Sequence, residues 1–309
     1  MKNKYTISVI IPVYNEEKNI EPLLRSLLEL QLPIKQILFV DDGSSDGTLV
    51  VLQNVSAQYD CVEFISLSRN FGHQAAIKAG FDHARGDCVV TMDGDMQHPP
   101  SLLYQMVKIW QEGFDVVQTR RICEYDQNFF KKHTSSFFYK VINFCAGVHI
   151  EKGAADFRLL DLKIVEICRD LHEDTFFWRG IIPWLGFEQR FVDYMPQTRL
   201  YGSTKYTLKK MLRLAWEGIS SFSLLPLRFA TLLGGMLFFV SLVYAVYVVI
   251  CVFLGDAVSG WGSLMIAVLG LGSVQMILLG LLGEYVGKIF MSSKKRPVYI
   301  IKDLCVKNS

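Results

Sequence analysis

Two carboxylates stand one residue apart in the sequence DGDMQHPP, residues 93–100, which directly follows a short β-rich run at 88–91. Residues i and i+2 of an extended chain share one side, and Gly94 lets the backbone bend so that Asp93 and Asp95 can face a common point. Mg²⁺ and Mn²⁺ prefer hard oxygen ligands and usually take only one or two carboxylates, which leaves positions for water and substrate phosphate. The same spacing is also typical of a solvated turn, so the surrounding elements must decide between the two interpretations.

Residues 1–120 alternate short apolar runs with longer segments in which apolar residues recur at helical spacing. The apolar runs predict strands at 8–12, 36–40, 62–67, 88–92 and 115–118. The helical spacing predicts helices at 21–30, 48–58, 75–83 and 101–111. Alternating strands and helices predict an α/β fold with a mostly parallel sheet that is covered on both faces.

Polar clusters follow four of these predicted strands, at residues 14–16, 41–44, 68–70 and 93–95. The carboxyl ends of parallel strands lie on one rim of a sheet, and ligands of open α/β sheets gather there. We therefore expect the four clusters to converge on one site. The alternative for Asp41 and Asp42 is turn formation, with Ser45 or Asp46 capping the following helix.

Hydrophobic residues make up 51% of the chain and are concentrated near its C-terminus, where residues 229–254 and 263–283 contain no charged side chain. Each stretch reaches the ~20 residues that a helix needs to cross a membrane. The predicted division is a catalytic domain at 1–204, a juxtamembrane region at 205–228, two transmembrane helices within 229–291 and a tail at 292–309. The alternative is a buried helical hairpin in a large soluble core.

Lysine and arginine flank the two apolar stretches and are missing from the connector 255–262. This asymmetry predicts that both termini and residues 1–204 lie in the cytoplasm and that the two apolar stretches form a multi-pass membrane anchor. The N-terminal apolar run is too short for a signal peptide. Residues 205–222 have the pattern of a basic amphipathic helix in the headgroup layer, although an ordinary core helix with a solvated face would show it too.

Seven cysteines and six histidines are scattered without a C-x-x-C pair. In a reducing compartment this predicts free, mostly buried thiols and neither disulfides nor a zinc site. We expect no nucleic-acid partner. Periodicity is mixed between residues 127 and 197, so the order of elements there is not predicted.

Several motifs together resemble the family-2 glycosyltransferases with the GT-A fold, and most closely their polyprenyl-phosphate branch, which includes dolichol-phosphate mannose synthase. Together with the two C-terminal apolar stretches, the matching segments extend the resemblance over nearly the whole chain. They are SVIIPVYNE at 8–16, VDDGSSDGT at 40–48, RNFGHQAA at 69–76, DGDMQHP at 93–99, ADFRLLD at 155–161 and RLYGSTKY at 199–206.

The resemblance implies that one sugar passes from a nucleotide-sugar donor to the phosphate of a membrane-anchored polyprenol. By analogy with the bacterial members, the donor is UDP-linked, with GDP as the alternative, and the acceptor is undecaprenyl phosphate in preference to dolichyl phosphate. Glucose is the sugar expected from the same analogy, and the sequence itself does not distinguish it from mannose, galactose or aminosugars. The reaction implied is a single displacement with inversion. The residues expected around the nucleoside are Pro12, Tyr14, Glu16 and Asp42. The expected ligands of Mg²⁺ or Mn²⁺ are Asp95 and Gln97, with Asp93 lying by the ribose and the metal.

Arginine and lysine are the side chains expected to hold the acceptor phosphate. The candidates are Arg120, Arg121, Arg199, Ser203 and Lys205, of which Arg199 and Lys205 are also catalytic candidates because the acceptor phosphate lies at headgroup depth. Asp156 matches a family position proposed to act as a base or to orient the acceptor, and a salt bridge with Arg158 is the alternative.

Two other classes of function stay open at this point. Processive polysaccharide synthases share the GT-A core, but the chain lacks their Gln-x-x-Arg-Trp signature and has Trp178-Arg179 in the reverse order. A non-enzymatic scaffold or transporter subunit is the second class, although the apolar stretches contain no charge that would mark an ion path. Glycines at 270, 272, 280 and 283 permit close helix contacts and predict a homo-oligomer, a tetramer by family analogy.

Overall fold

A computed structural model describes residues 5–122, 151, 153–173, 176–195, 225–254 and 260–307. These residues fall into two compact units. The first unit contains the described residues up to 195 and those from 296 onward. The second contains the described residues between 225 and 295.

The first unit is a layered α/β domain around one sheet. Its strands are β1 (Ile7–Val13), β2 (Ile34–Asp41), β3 (Val62–Leu67), β4 (Cys88–Thr91), β5 (Val116–Arg121), β6 (Ala154–Asp161), β7 (Gln189–Tyr194) and β8 (Ile301–Cys305). Its helices are α1 (Ile20–Leu28), α2 (Thr48–Gln58), α3 (His73–His83), α4 (Leu102–Gln111), α5 (Leu162–Asp170) and α6 (Trp178–Trp184). The five strands and four helices predicted for residues 1–120 are confirmed, with boundaries that shift by a few residues.

The strand order in the sheet is β7-β5-β6-β4-β1-β2-β3-β8. Strands β1 to β4 are parallel to one another, as predicted from the alternation of strands and helices. Strand β6 runs antiparallel between β4 and β5, and β7 is parallel to β5. The chain therefore reverses its strand order between β1 and β4, which is the point at which open α/β sheets bind ligands.

Apolar side chains from α1, α2 and α4 form the core on one face of the sheet, where Leu23, Leu52 and Trp110 are buried. Helix α3 packs on the other face. A Cβ atom at Gly80 of this helix would overlap the side chain of Ile10 in β1, so the glycine sets how closely α3 approaches the sheet. This close packing fixes the N-terminus of α3 beside the carboxyl ends of β1 and β4.

Strand β8 was not predicted, and it forms an edge of the sheet by pairing antiparallel with β3. A polar cluster anchors the chain beyond it. Glu63, which is buried, accepts the backbone N–H of Lys307 and pairs with Arg85, and Arg85 donates to the Lys307 carbonyl at 2.5 Å. The segment that follows the apolar stretches is therefore part of the first unit.

The second unit contains two long helices, α7 (Leu225–Phe253) and α8 (Trp261–Ser293). Among the described residues, the segment Gly270–Ser293 has the length and composition to cross a membrane, and Gly234–Tyr244 is a shorter apolar stretch. The predicted amphipathic helix at 205–222 and the greater part of the connector lie outside the described residues.

Four of the cysteines whose side chains the structure describes are free thiols. Cys88 and Cys168 are buried, whereas Cys61 and Cys305 are partly exposed. Burial raises the pKa of Cys168 to about 12, so its thiol stays protonated and unreactive at neutral pH.

Candidate active site

The loop after β1 is fastened to the loop after β2. Asn15, whose φ is 54°, donates its backbone N–H to Ser44 Oγ, and its side-chain oxygen accepts the N–H of Ser45. Glu16 donates its N–H to the hydroxyl of Thr48. Tyr14 remains 37% exposed on this rim. The ring of Tyr14 is therefore accessible near Pro12, at the carboxyl end of β1, where a nucleoside is expected.

Asp41 and Asp42 have separate structural tasks. Asp41 accepts the N–H of Ser44 and the hydroxyl of Ser66, so it forms the turn that the sequence offered as the alternative to binding. Asp42 accepts the backbone N–H groups of Phe71 and Gly72 and thereby ties the end of β2 to the loop before α3. Burial raises the pKa of Asp42 to about 6, against the lowering effect of those two hydrogen bonds.

The turn at Gly43 depends on the absence of a side chain. Its φ of +68° is in the left-handed region, and a Cβ atom there would overlap the backbone of Arg69 and Asn70. The loops after β2 and β3 thus touch through their main chains. This contact keeps the Asp42 carboxylate within reach of the loop that leads into α3.

The turn that carries Asp93 and Asp95 lies against the end of β1. A Cβ atom at Gly94 would stand 2.7 Å from Val13 Cγ1, so glycine permits this approach. Asp95 is largely buried and accepts the N–H of Gln97, and the intervening Met96 has a φ of 63°. A non-glycine residue in this conformation is unusual and is found mostly where the surrounding structure imposes it. The turn therefore has a defined shape.

His98 holds this turn in place from the protein interior. It is fully buried, stacks on Phe157 and accepts the backbone N–H of Asp93 through Nδ1. Its other ring nitrogen lies 3.6 Å from Asp93 Oδ2 and 3.3 Å from Arg121 Nη2. Burial lowers the pKa of His98, although Asp93 acts in the opposite direction. His98 thus connects Arg121 to the acidic turn.

Arg120 and Arg121 point to opposite sides of β5, as neighbours on a strand must. Arg121 donates to the hydroxyl of Tyr194 and reaches His98, which places it beside the acidic turn. Arg120 instead makes two hydrogen bonds to Asp193, at 2.6 and 2.9 Å, and lies 3.8 Å from Glu151. The structure therefore brings Arg121, and not Arg120, to the acidic turn that carries Asp93 and Asp95.

Asp156 lies on β6 next to the end of β4 and is 5% exposed. Its carboxylate pairs with Arg158 at 2.6 Å and with Arg179 at 2.8 Å, so the predicted salt bridge with Arg158 is present and a second arginine joins it. Burial would raise the pKa of Asp156, but the two guanidinium groups hold it well below its usual range. His73 links this cluster to the acidic turn, because its Nε2 lies 3.8 Å from Asp156 Oδ2 and 3.4 Å from Asp93 Oδ1.

The acidic turn suits a hard divalent cation. No cluster of three or more His, Cys, Asp or Glu side chains with metal-binding geometry occurs among the described residues. Asp93 and Asp95 provide two carboxylates on one turn, and Gln97 adds an amide oxygen. Mg²⁺ commonly takes one or two protein carboxylates and completes its shell with water and substrate phosphates, so this donor set fits a metal that arrives with a nucleotide.

The structure thus groups most of the expected site residues on one rim. Arg199, Ser203 and Lys205 lie outside the described residues. His73, His98 and Arg179 were not among the expected site residues. The two histidines stand inside the motifs at 69–76 and 93–99, but only the folded chain shows which groups they face.

Comparison with known proteins decides the family. Residues 8–167 match the profile of glycosyl transferase family 2, and residues 225–289 match the GtrB C-terminal hairpin. The chain belongs to glycosyltransferase family 2. It is a glycosyltransferase, and the predicted enzyme class is confirmed.

Similar proteins extend over almost the whole length of this glycosyltransferase. An uncharacterized glycosyltransferase from Synechocystis sp. is 41% identical over 302 residues, which are 96% of this chain and 95% of the relative. The bactoprenol glucosyl transferase of Shigella phage SfV is 37% identical over 301 residues, 96% of this chain and 98% of the relative. The similarity therefore includes both the sheet and the helical hairpin.

Solved structures confirm the GT-A fold of the glycosyltransferase. Glucosyl-3-phosphoglycerate synthase from Mycobacterium tuberculosis, in complex with Mg²⁺ and uridine diphosphate, superimposes with a TM-score of 0.52. The match covers 71% of this chain and 78% of the synthase at 16% identity. A complex of the same synthase with Mn²⁺, uridine diphosphate and phosphoglyceric acid gives a TM-score of 0.51. At this level of identity the likeness concerns the fold alone.

Proposed function

We propose that this glycosyltransferase transfers a single glucose from UDP-glucose to a polyprenyl phosphate, undecaprenyl phosphate in bacteria. The observation that carries the proposal is the similarity over nearly the full chain to bactoprenol glucosyl transferases, with the helical hairpin included. Bactoprenol is a polyprenol, so its phosphate is an acceptor that a membrane-anchored enzyme reaches at the lipid surface.

The donor nucleoside occupies the rim formed by the first two loops in this proposal. Tyr14 offers an exposed ring for the base, and Pro12, Glu16 and Asp42 complete the expected surroundings. Support comes from the hydrogen bonds that hold Asn15 against Ser44 and Ser45, because they give the rim a fixed shape before the nucleotide arrives. A preformed site loses less conformational entropy on binding.

Asp93, Asp95 and Gln97 would hold Mg²⁺ or Mn²⁺ beside the donor diphosphate. When bound there, the metal neutralises negative charge that develops on the departing nucleoside diphosphate. The protein contributes the shape of the turn, which the Asp95 hydrogen bond to Gln97 and the buried ring of His98 maintain.

A polyprenyl phosphate is an anion near neutral pH, so its oxygen can attack the anomeric carbon without a strong base. The protein then acts mainly by alignment and by electrostatic stabilisation, with inversion at the anomeric carbon. Arg121, which lies beside the acidic turn, is a candidate residue for binding the acceptor phosphate. Arg199, Ser203 and Lys205 remain candidates from the sequence, and Arg120 would have to leave Asp193 to take part.

The proposed setting is the cytoplasmic face of the inner membrane, with α7 and α8 crossing the bilayer. The absence of Lys and Arg from the connector and their abundance on both flanks support this orientation. Assembly into a homo-oligomer, a tetramer by family analogy, belongs to the same proposal and rests on the glycines of α8.

A product assay tests the proposed function. The purified protein is incubated with undecaprenyl phosphate, Mg²⁺ or Mn²⁺ and a panel of nucleotide sugars, and the lipid fraction is analysed by mass spectrometry. We expect a polyprenyl phosphate that carries one hexose, formed from UDP-glucose. A polymer product would favour a processive synthase, and no lipid product from any donor would refute the proposal.

A further inference from the structure

Two arginines surround the buried carboxylate of Asp156, and they differ in their exposure. Arg158 is 1% exposed, and it also donates to the carbonyl of Trp178. The side chain of Arg179 is 31% exposed and engages both carboxylate oxygens through Nε and Nη2. One carboxylate therefore contacts two guanidinium groups, and that of Arg179 is the one that reaches solvent.

The backbone next to Arg179 is fixed by a neighbouring residue. Trp178 is 1% exposed, stacks on Phe176 and packs edge-on against Phe81. Its backbone N–H donates to the side chain of Gln74 and its indole N–H donates to the Gln74 carbonyl, both at 3.0 Å. Arg179 is thus held next to the first turn of α3, where His73 lies.

This arrangement places the guanidinium of Arg179 near the acidic turn that carries Asp93 and Asp95. His73 Nε2 lies within 3.8 Å of Asp156 Oδ2 and 3.4 Å of Asp93 Oδ1, so a single imidazole separates the arginine cluster from the acidic turn. The side chain of Arg179 is partly exposed, whereas that of Arg158 is buried. A second, partly exposed arginine held by two hydrogen bonds has the geometry for recognising a phosphate.

We propose that Arg179 binds a phosphate oxygen of the reacting substrates and that Asp156 is a positioning residue that orients Arg179. The phosphate belongs either to the donor diphosphate or to the acceptor, and both present the same anionic oxygens. This inference deepens the proposed function and rests on it for the identity of the substrates. Asp156 then has both oxygens engaged by arginine and acts through Arg179, not as the acceptor of a proton.

Kinetics of Arg179→Gln test the direct contact. We expect kcat/KM for UDP-glucose or for undecaprenyl phosphate to fall roughly 100-fold, and Arg179→Lys to recover part of the loss because it retains the charge. The substrate whose KM rises identifies the phosphate that is bound. Arg25→Gln, a change at an exposed arginine on α1, is the control and should leave both constants unchanged. Values for Arg179→Gln within about threefold of the parent for both substrates would overturn the proposal.

A double-mutant cycle tests the positioning role of Asp156. If Asp156 acts through Arg179, the variant carrying both Asp156→Asn and Arg179→Gln should be no slower than the slower single variant. The pH profile of kcat for Asp156→Asn should also keep the shape of the parent profile. Additive losses, or the disappearance of a limb from the pH profile, would show that Asp156 works independently and would refute its positioning role.

A binding measurement separates this inference from the proposed function. Calorimetric titration of UDP with Mn²⁺, and of undecaprenyl phosphate in detergent, requires no turnover. Weaker binding of either ligand to Arg179→Gln than to the parent supports the phosphate contact even if the parent transfers no glucose. Equal binding of both ligands, or no binding of either to the parent, contradicts it. Thermal melting of each variant identifies any that fail to fold, and Arg179→Lys then carries the test.

Discussion

Asp42 is a buried carboxyl with a pKa of about 6, against an ordinary value of 3.8. Between these pH values the folded chain binds more protons than the unfolded chain, so the contribution of Asp42 to the free energy of unfolding falls as pH rises through this window. Asp42→Asn removes the titration. We expect the melting temperature of the parent, relative to this variant, to increase when the pH is lowered from about 7 to about 5. A difference in melting temperature between the parent and Asp42→Asn that does not change with pH would contradict the raised pKa of Asp42.

Asp95 is the second residue for which the structure gives a direct prediction. Asp95→Ala removes a carboxylate from the acidic turn, where we propose that the metal binds, and also the acceptor for the Gln97 N–H. We expect sugar transfer to fall by at least roughly 100-fold, with Mn²⁺-dependent binding of UDP weakened and membrane insertion unchanged. Radiolabelled transfer and calorimetry measure the two effects. Asp60→Ala, at a fully exposed acid, is the control; equal activity of the two variants would exclude Asp95 from the metal site.

Individual residues differ in how far the sequence predicts their surroundings. Asp93 and Asp95 were identifiable because their spacing and the preceding strand are local properties of the chain. The contacts of His73 with Asp93 and Asp156 join three elements that are distant in sequence, and no periodicity reports such a meeting. Arg179 carried no signal except its position after Trp178. Residues that act through non-local contacts therefore emerge only from the fold.

At the scale of elements, the loops after β2 and β3 meet through Gly43. Gly43→Ala would strain a positive φ and also force a methyl group against the backbone of Arg69 and Asn70. Gly113 has a φ of +112° but no atoms near its Cβ position, so Gly113→Ala isolates the conformational cost, on the order of 1 kcal/mol. We expect Gly43→Ala to lower the melting temperature further and to weaken UDP binding. Equal effects of the two changes would show that the loop contact is unimportant.

The elements predicted correctly are those in which burial sets the spacing of apolar residues along the sequence. Strands β1 to β4 are short apolar runs with both faces covered, and α1 and α4 have clear apolar stripes, so each reads from local sequence. Strands β6 and β7 gave no comparable signal in the region of mixed periodicity. Strand β8 is short and has two adjacent charged residues, Lys302 and Asp303, at a sheet edge. Its existence depends on pairing with β3, which lies far away in the chain. Register with a distant partner is not encoded in a local pattern.

The C-terminal strand matters to the whole molecule because it completes the catalytic sheet. Deleting residues 297–309 exposes the edge of β3 and leaves Glu63 and Arg85 without the backbone of Lys307. We expect a lower melting temperature and increased aggregation in detergent, since an unpaired edge strand invites association. Lys307→Ala retains the backbone bonds and serves as the matched control. A truncated protein as stable as the parent would show that β8 contributes nothing to the first unit.

The sheet also predicts membrane topology, because residues on both sides of the helical hairpin share it. Under the proposed function, in which the hairpin spans the bilayer, the chain would cross it an even number of times between β7 and β8. In a cysteine-free background, Asp60→Cys should react with a maleimide only after the membrane is permeabilised. Val258→Cys in the connector should react with a membrane-impermeant maleimide in intact cells. Labelling of both positions from the same side would refute the two-span arrangement.

The antiparallel pairing of β3 with β8 has a consequence for synthesis. The edge of β3 stays open while the ribosome translates the loops, the remaining strands and both long helices, and it closes only when residues 301–305 emerge. Folding of the catalytic unit is therefore completed after the hairpin has been made. The glycosyltransferase thus reaches its finished form only once its helical hairpin has been synthesised.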